Sequence, residues 1–356
     1  MRTALSWIGR ALLLACIALC FAPTIVPPFL DRIYYDGPPS RHYDGSRFFN
    51  PGPAPARRNS LLDPWRGSEQ RAVWPEEVPV TPTVPPHRIE GGEMVVTWIG
   101  HATVLVQTAG LNILTDPIWS DVASPFSFAG PRRHRQPGIR FEDLPRIDLV
   151  LISHNHYDHL DLPTLRRLWE RDRPLIVTGL GNDTILRREG IEATARDWGE
   201  RVPVRPGVEV VMARNHHWTS RWFTDRNRAL WSAFAVRTPS GAIFFAGDTG
   251  WGDGGWAREA AAYGPYRLAI LPIGAYSPRE IMRGSHINPE EAIAVFDILR
   301  PTMALGMHWG TFQLSREAID APPWTLAQLR RARAMPRDRF AVTEVGQSFR
   351  VPPLGR

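Results

Sequence analysis

The chain is expected to fold as a mixed α/β protein, on three observations. After Glu93, short runs rich in β-branched, aliphatic and aromatic residues stop at Gly, Asp or His. Helical patterns fall between those runs. With 356 residues, 43% hydrophobic and 22% charged, the chain can bury a sizeable core and is not disordered by composition.

In chain order, residues 1–30 read as a membrane anchor or signal segment. Arg10 is the only charge between Thr3 and Leu30, and residues 11–30 carry none, the length that a bilayer-spanning helix needs. Pro23, Pro27 and Pro28 confine the cleanly helical part to residues 11–22, closer to the hydrophobic region of a secretory signal, with Arg2 and Arg10 as its basic flank. Cleavage signals are poor, because Pro23 follows Ala22 and Leu14 stands two positions before Cys16. An uncleaved anchor is therefore expected, and the positive-inside rule favours a periplasmic, outward-facing body. A helix packed on the domain is the alternative. Residues 31–92 hold eleven of the thirty-four prolines, as in Pro51-Gly-Pro-Ala-Pro55, and read as an extended linker or wrapping arm.

Residues 93–356 form the main domain, either one unit or two fused halves. Strands are expected at 94–99, 103–107, 111–114, 149–152, 175–177, 208–212, 233–238, 242–246, 268–273, 303–307 and 340–345. Pro239-Ser-Gly241 signals a hairpin. Helix 162–170 opens after Asp161 as cap, with Pro163 in its first turn. Helix 289–299 takes Asn288 as cap and carries Glu290 and Glu291 near its positive end.

Composition excludes several chemistries. Cys16 and Cys20, the two cysteines, lie in the N-terminal apolar stretch, so the remainder has no disulfide, zinc ribbon or cysteine nucleophile. Gly-x-Ser-x-Gly and Gly-x-x-x-x-Gly-Lys are both absent, which removes the serine elbow and the P-loop. The net charge of +6 rests on arginine alone, since the chain has no lysine. Arg, Ala, Gly and Pro are abundant together, a compositional bias that explains the charge without a nucleic-acid partner, and none is expected.

The informative segment is Ser153-His154-Asn155-His156-Tyr157-Asp158-His159, directly after an apolar strand. His154 and His156, two apart, can point the same way from an extended loop, while Asp158 and His159 can face a second point. Four potential ligands in six residues suit a pair of metals. Imidazole and carboxylate without thiolate favour Zn²⁺, with Fe or Mn possible. His216 and His217 are adjacent and on extended chain face opposite sides, so only one reaches a metal.

This H-x-H-x-D-H block resembles the metallo-β-lactamase superfamily. Further blocks, in order, resemble its N-acyl-phosphatidylethanolamine phospholipase D family: Thr97-Trp-Ile-Gly-His-Ala-Thr103, Leu114-Thr-Asp-Pro117, His217-Trp218, Phe245-Ala-Gly-Asp-Thr-Gly250, Pro272-Ile-Gly-Ala-Tyr276, His286-Ile-Asn-Pro-Glu-Glu-Ala292 and His308-Trp-Gly-Thr-Phe312. The resemblance implies an αββα sandwich with metals at one edge of its two sheets. It places His154, His156 and His217 on one metal, Asp158, His159 and His308 on the other, and Asp248 between them. It selects His217 over His216 because the family's ligand immediately precedes the aromatic, here Trp218, although Arg214-Asn215-His216 departs from the small and proline residues usual there. Tyr157 and His286 are implied to contact the substrate, with His286 also in the catalytic set, and Tyr276 to Arg279 to help wall the cavity. His101 and Asp116, in earlier strand-end loops, are expected behind the ligands, where a carboxylate fixes an imidazole tautomer.

Two metals can hold a nucleophilic hydroxide and stabilise charge on substrate oxygens. Asp158 is the candidate to orient the water and accept its proton. The expected activity is therefore zinc-dependent phosphodiester hydrolysis of the phospholipase D type, releasing an N-acylethanolamine and phosphatidic acid from an N-acylated phospholipid. A phosphodiester also suits the basic loop Arg132-Arg-His-Arg135 with Arg140, which reads equally as a solvated loop. Alternatives are a lactonase with the same metals and a non-catalytic envelope protein stapled by zinc. Seven ligands argue against a staple, which needs four donors.

Overall fold

The computed structural model describes residues 2–25, 32–52, 70–222 and 224–355. Two seven-stranded mixed sheets pack face to face with helices outside them, an αββα sandwich. The first sheet comprises β1 (Met94–Gly100), β2 (Thr103–Thr108), β3 (Leu111–Thr115), β4 (Leu149–Ile152), β5 (Leu175–Gly179) and β6 (Thr194–Arg196), in that order, with β14 (Ser348–Arg350) added beside β1. The second runs β7 (Arg201–Arg205), β8 (Val208–Ala213), β9 (Ala233–Arg237), β10 (Ala242–Phe245), β11 (Tyr266–Pro272), β12 (Met303–Met307) and β13 (Phe340–Ala341). Each sheet begins as an antiparallel meander and continues as parallel strands, from β3 in the first and from β10 in the second.

Parallel pairing needs crossovers, and helices supply them on the outer faces except between β3 and β4, where a long loop with one 3-10 turn, Phe141–Asp143, makes the connection. Among these, α2 (Leu162–Asp172) and α3 (Asn182–Arg187) cover the first sheet, while α4 (Gly255–Ala261), α6 (Pro289–Leu299) and α7 (Ala321–Ala332) cover the second. A short α5 (Arg279–Met282) precedes α6. The four residues of β4 show how the layers form. Leu149 and Leu151 enter the core between the sheets, whereas Val150 and Ile152 join Leu165 and Leu168 of α2 on the other side. Strand period two thus feeds two cores, so all four positions are apolar.

The strands that the sequence does not signal, β6, β7 and β14, are sheet edges. Edges are short and polar, and β7 carries Pro203, so no apolar run marks them. The run 340–345 likewise shrinks to the two-residue edge strand β13. Asn288 caps α6 as expected, in a capping box with Glu291. Asp161 differs, making no side-chain bond to the α2 backbone. Its carboxylate instead accepts the hydroxyls of Thr164 at 2.6 Å and Ser120 at 2.7 Å, tying the loop after β3 to the loop after β4.

The N-terminal expectation requires correction. Residues Arg2–Ile25 form a helix, α1, but among the described residues no helix is long and apolar enough to cross a membrane. The physical reason is length. The uncharged helical stretch after Arg10 ends at Ile25, about 23 Å at ~1.5 Å per residue against roughly 30 Å of hydrocarbon, and residues 26–30 of the expected anchor lie outside the described residues. Neither the membrane anchor nor the periplasmic location inferred from it stands.

The described parts of residues 31–92 lie on the domain. Tyr43 and Phe48 are buried against Leu230 and Trp231, and Tyr34 donates to Asp225 at 2.8 Å. The Trp74 indole donates to the Glu317 carbonyl at 2.8 Å. Residues 53–69, with three of the segment's eleven prolines, lie outside the described residues.

Candidate metal centre

Every candidate ligand stands at the C-terminal end of a strand or in the loop that follows it. The loop after β4 brings His154, His156, Asp158 and His159. His217 follows β8, Asp248 follows β10 and His308 follows β12. The two sheets' ends are laced together here, because the His101 carbonyl accepts both the Trp98 indole and the His308 amide, each at 2.9 Å. His101, Asp116 and His308 have φ of 54°, 30° and 64°. Side chains there cost on the order of 1–3 kcal/mol each, and the surrounding structure must impose it. At Gly247 (φ 58°) a Cβ would fall 2.5 Å from the Ser153 Cβ, so only glycine lets the Asp248 turn approach the metal loop.

The side chains converge in two groups. Nε2 of His154 lies 2.8 Å from Nδ1 of His156, which lies 3.4 Å from Nε2 of His217. In the second group, Nε2 of His159 is 3.3 Å from Nε2 of His308 and 3.2 Å from Oδ2 of Asp158. Oδ2 of Asp248 is 3.1 Å from both of those imidazole nitrogens and 4.0 Å from His217 Nε2. It thus stands between the groups. Metal–donor bonds of about 2.0–2.1 Å at the tetrahedral angle hold donors about 3.3 Å apart, which these separations approach. Oδ1 of Asp248 and Nδ1 of His286 are buried without a hydrogen-bond partner. Such orphaned polar atoms beside converging lone pairs fit bound metal.

A shell of hydrogen bonds aims the imidazoles. Asp116 accepts from His159 Nδ1 at 2.7 Å and from the Ser153 hydroxyl at 2.5 Å, and that hydroxyl lies 2.8 Å from His154 Nδ1. One carboxylate therefore orients both rings. His217 Nδ1 donates to the Ser285 carbonyl at 3.0 Å. His101 Nε2 bonds Asp158 Oδ2 at 2.8 Å. Asp116→Ala should weaken metal affinity by about 10–100-fold with the fold retained. Competition against a fluorescent chelator measures this, and wild-type affinity would contradict it.

Electrostatics differ between the groups. Burial, reinforced by neighbouring histidines, pushes His154 and His217 well down, and burial takes His156 to about 3. These rings are neutral and ready to donate lone pairs. Burial would lower His308 as well, but Asp248 and Asp158 overcome it and raise this ring to about 9; the same carboxylates raise His159. At pH 7.5 the metal-free chain therefore holds protons on His159 and His308 that metal must displace. Metal loading should release about two protons per chain. Calorimetry in buffers of different ionisation enthalpy reads that number, and no release would contradict the assignment.

His216 does not join the cluster: its ring packs on Gly252, where a Cβ would be 2.7 Å from Nδ1. His286 does approach, with Nδ1 3.8 Å from Asp248 Oδ2. Arg279 holds it from behind by donating to its carbonyl at 2.8 Å. Tyr157 lies on the same loop, but its hydroxyl donates to the Arg221 carbonyl at 3.0 Å, so its ring rather than its oxygen is presented. Most of the basic loop serves the fold. Buried Arg133 donates to the carbonyls of Ser120 and Ile118, Arg135 donates to that of Gly310, and Arg140 pairs with Asp143.

Three contributors carry no sequence signal of their own. Buried Arg221 donates to the carbonyls of Asn155 and Leu160 at 2.9 and 2.8 Å, bracketing the metal loop. Asn50, from the arm, donates to the His217 carbonyl at 2.8 Å. Asn215 donates to the carbonyls of Ala246 and Asp248 at 3.0 and 2.8 Å, tying the His217 segment to the Asp248 turn. That last bond gives the departure at Arg214-Asn215-His216 a structural reason.

Residues 111–309 match the β-lactamase superfamily domain, and the match spans the loops after β3, β4, β8, β10 and β12. A Caenorhabditis elegans protein, N-acyl-phosphatidylethanolamine-hydrolyzing phospholipase D 1, is 37% identical over 278 residues, covering 73% of this chain and 78% of that one. The chain belongs to the metallo-β-lactamase superfamily and, within it, to the family of that phospholipase D. It is a metal-dependent hydrolase. A mitochondrial Saccharomyces cerevisiae protein named for the same activity is 33% identical, covering 71% of this chain and 55% of the yeast protein. Among solved structures, the metallohydrolase Igni18 from Ignicoccus hospitalis superposes with a TM-score of 0.56 at 20% identity, covering 73% of this chain and 99% of its own. CmlA from Streptomyces venezuelae, described as a diiron β-hydroxylase, superposes with a TM-score of 0.54 at 22% identity, covering 73% and 54%. The superfamily's fold therefore does not dictate zinc.

Proposed function

We propose that the chain is a di-zinc phosphodiesterase of the phospholipase D type, acting on N-acyl-phosphatidylethanolamine-like lipids. The observation that carries this reading is the pair of donor groups sharing Asp248, supported by relatives named for that reaction. His154, His156 and His217 would hold one ion, Asp158, His159 and His308 the other, and Asp248 both. Bound there, the ions supply a hydroxide at neutral pH and Lewis-acid stabilisation of the phosphoryl oxygens.

The chain's own residues do the rest. Asp158, fixed by His101 at 2.8 Å, orients the attacking water and takes its proton. Burial would raise this carboxylate, but His159 and the bonds from His101 and His308 hold it well below the ordinary range, so it is ionised in the working pH range. Burial lowers His286 to about 4, which keeps its imidazole neutral and able to offer an N–H to a substrate oxygen. The ring of Tyr157 walls the entrance.

Metal-loaded protein should hydrolyse N-acyl-phosphatidylethanolamine in mixed micelles and bis(p-nitrophenyl) phosphate, and a chelator should stop both reactions. Turnover of lactones alone would reject the phosphodiesterase.

A further inference from the structure

Access to the donor cluster is one-sided. His154, His159, His217, Asp248 and His308 are each at most 2% exposed, whereas His156 and Tyr157 are half-buried, so the cluster meets solvent on their side. Trp218, also half-buried, sets its ring at 4.2 Å and 67° from His156. Arg226 is an exposed residue whose guanidinium, partly shielded from water, lies 4.0 Å over that same ring. A cation is therefore parked one indole away from a candidate ligand, at the open side of the site.

The surroundings of Arg226 do not neutralise it. Among the described residues no carboxylate pairs with it, and its closest charged influence is Arg47. Arg47 donates to the carbonyls of Arg226 and Thr224, which fixes the segment and places a second guanidinium nearby. Two like charges held together at a mouth, one of them over an indole and without a carboxylate partner among the described residues, suit an oxyanion.

We propose that Arg226, supported by Arg47 and stacked on Trp218, is a specificity-determining residue that binds a phosphate oxyanion at the mouth of the metal centre. The phosphate belongs either to the reacting diester or to a neighbouring phospholipid. This deepens the phosphodiesterase reading and rests on it. A neutral lactone would gain nothing from the residue.

The test compares metal-loaded wild type, Arg226→Gln and the surface control Arg333→Gln, whose partner Asp297 lies on α6. Arg226→Gln should raise KM about tenfold with kcat within about twofold, and Arg226→Lys should recover part of the loss. Wild-type KM should rise with ionic strength, and Arg226→Gln should lose that dependence. An effect on soluble bis(p-nitrophenyl) phosphate as well as on lipid micelles assigns the reacting phosphate. An effect confined to micelles containing an anionic phospholipid assigns a neighbouring headgroup. Unchanged KM and salt dependence in both arms overturns the proposal. If wild type turns over neither substrate, the phosphodiesterase reading fails by itself, and calorimetric binding of inorganic phosphate decides the residue. A Kd weakened by Arg226→Gln supports the anion site, and an equal Kd overturns it.

Discussion

Asp248→Asn is expected to lower kcat/KM by on the order of 10³-fold while leaving the backbone in place. The size follows from position. A single oxygen, Oδ2, lies 3.1 Å from His159 and His308 and 4.0 Å from His217, so this one carboxylate reaches both donor groups. Burial alone would raise this carboxylate, but the surrounding histidines, His159 first, hold it well below its ordinary range. Asparagine keeps the shape and removes the charge that makes those imidazoles a site. Its turn should survive, because Asn215 binds the residue through its backbone carbonyl and Gly247 supplies the bend. Elemental analysis of the variant should show less than two metals per chain. Wild-type turnover with two metals would remove Asp248 from the mechanism.

Stripping both metals should lower the unfolding midpoint by roughly 16–32 °C at pH 8. Each ion present at a thousand times its Kd stabilises by about 4 kcal/mol, so the pair contributes about 8 kcal/mol, and each kcal/mol moves a large domain by about 2–4 °C. The pH dependence follows from the signs. In the metal-free chain the raised His159 and His308 contribute stability that is complete below their unfolded pKa near 6.5 and is lost as pH climbs, through about 9 for His308. The lowered His154, His156 and His217 act oppositely: stability falls as pH drops below about 6.5 toward the folded values, about 3 for His156. Metal-free protein should thus be most stable near pH 6.5, and the gap to metal-loaded protein should widen from there to pH 9. Scanning calorimetry with and without chelator measures it. A gap that narrows with pH would contradict the charge assignment.

The parts of this centre that could be read from the chain are those with local pattern. His154 to His159 announce themselves by spacing, and the strand β4 before them by four consecutive apolar residues. Asp248 and His308 gain meaning only from motif blocks far apart in sequence, which local spacing does not join and a family resemblance does. Arg221, Asn50 and Asn215 act through backbone carbonyls, and such bonds leave no periodicity behind. The N-terminal expectation fails because it counts uncharged length as far as Leu30, whereas the described helix ends at Ile25. Edge strands escaped because the polarity that protects them from pairing also hides them. Arg133 and Arg135 illustrate the converse: a conspicuous basic run resolves mostly into guanidinium groups donating to carbonyls.

The most direct test is a titration of metal-free protein with zinc, following bound metal by elemental analysis and turnover of N-acyl-phosphatidylethanolamine in the same samples. Activity should rise with loading and saturate at two equivalents per chain. Full activity in protein carrying no transition metal would contradict the binuclear centre.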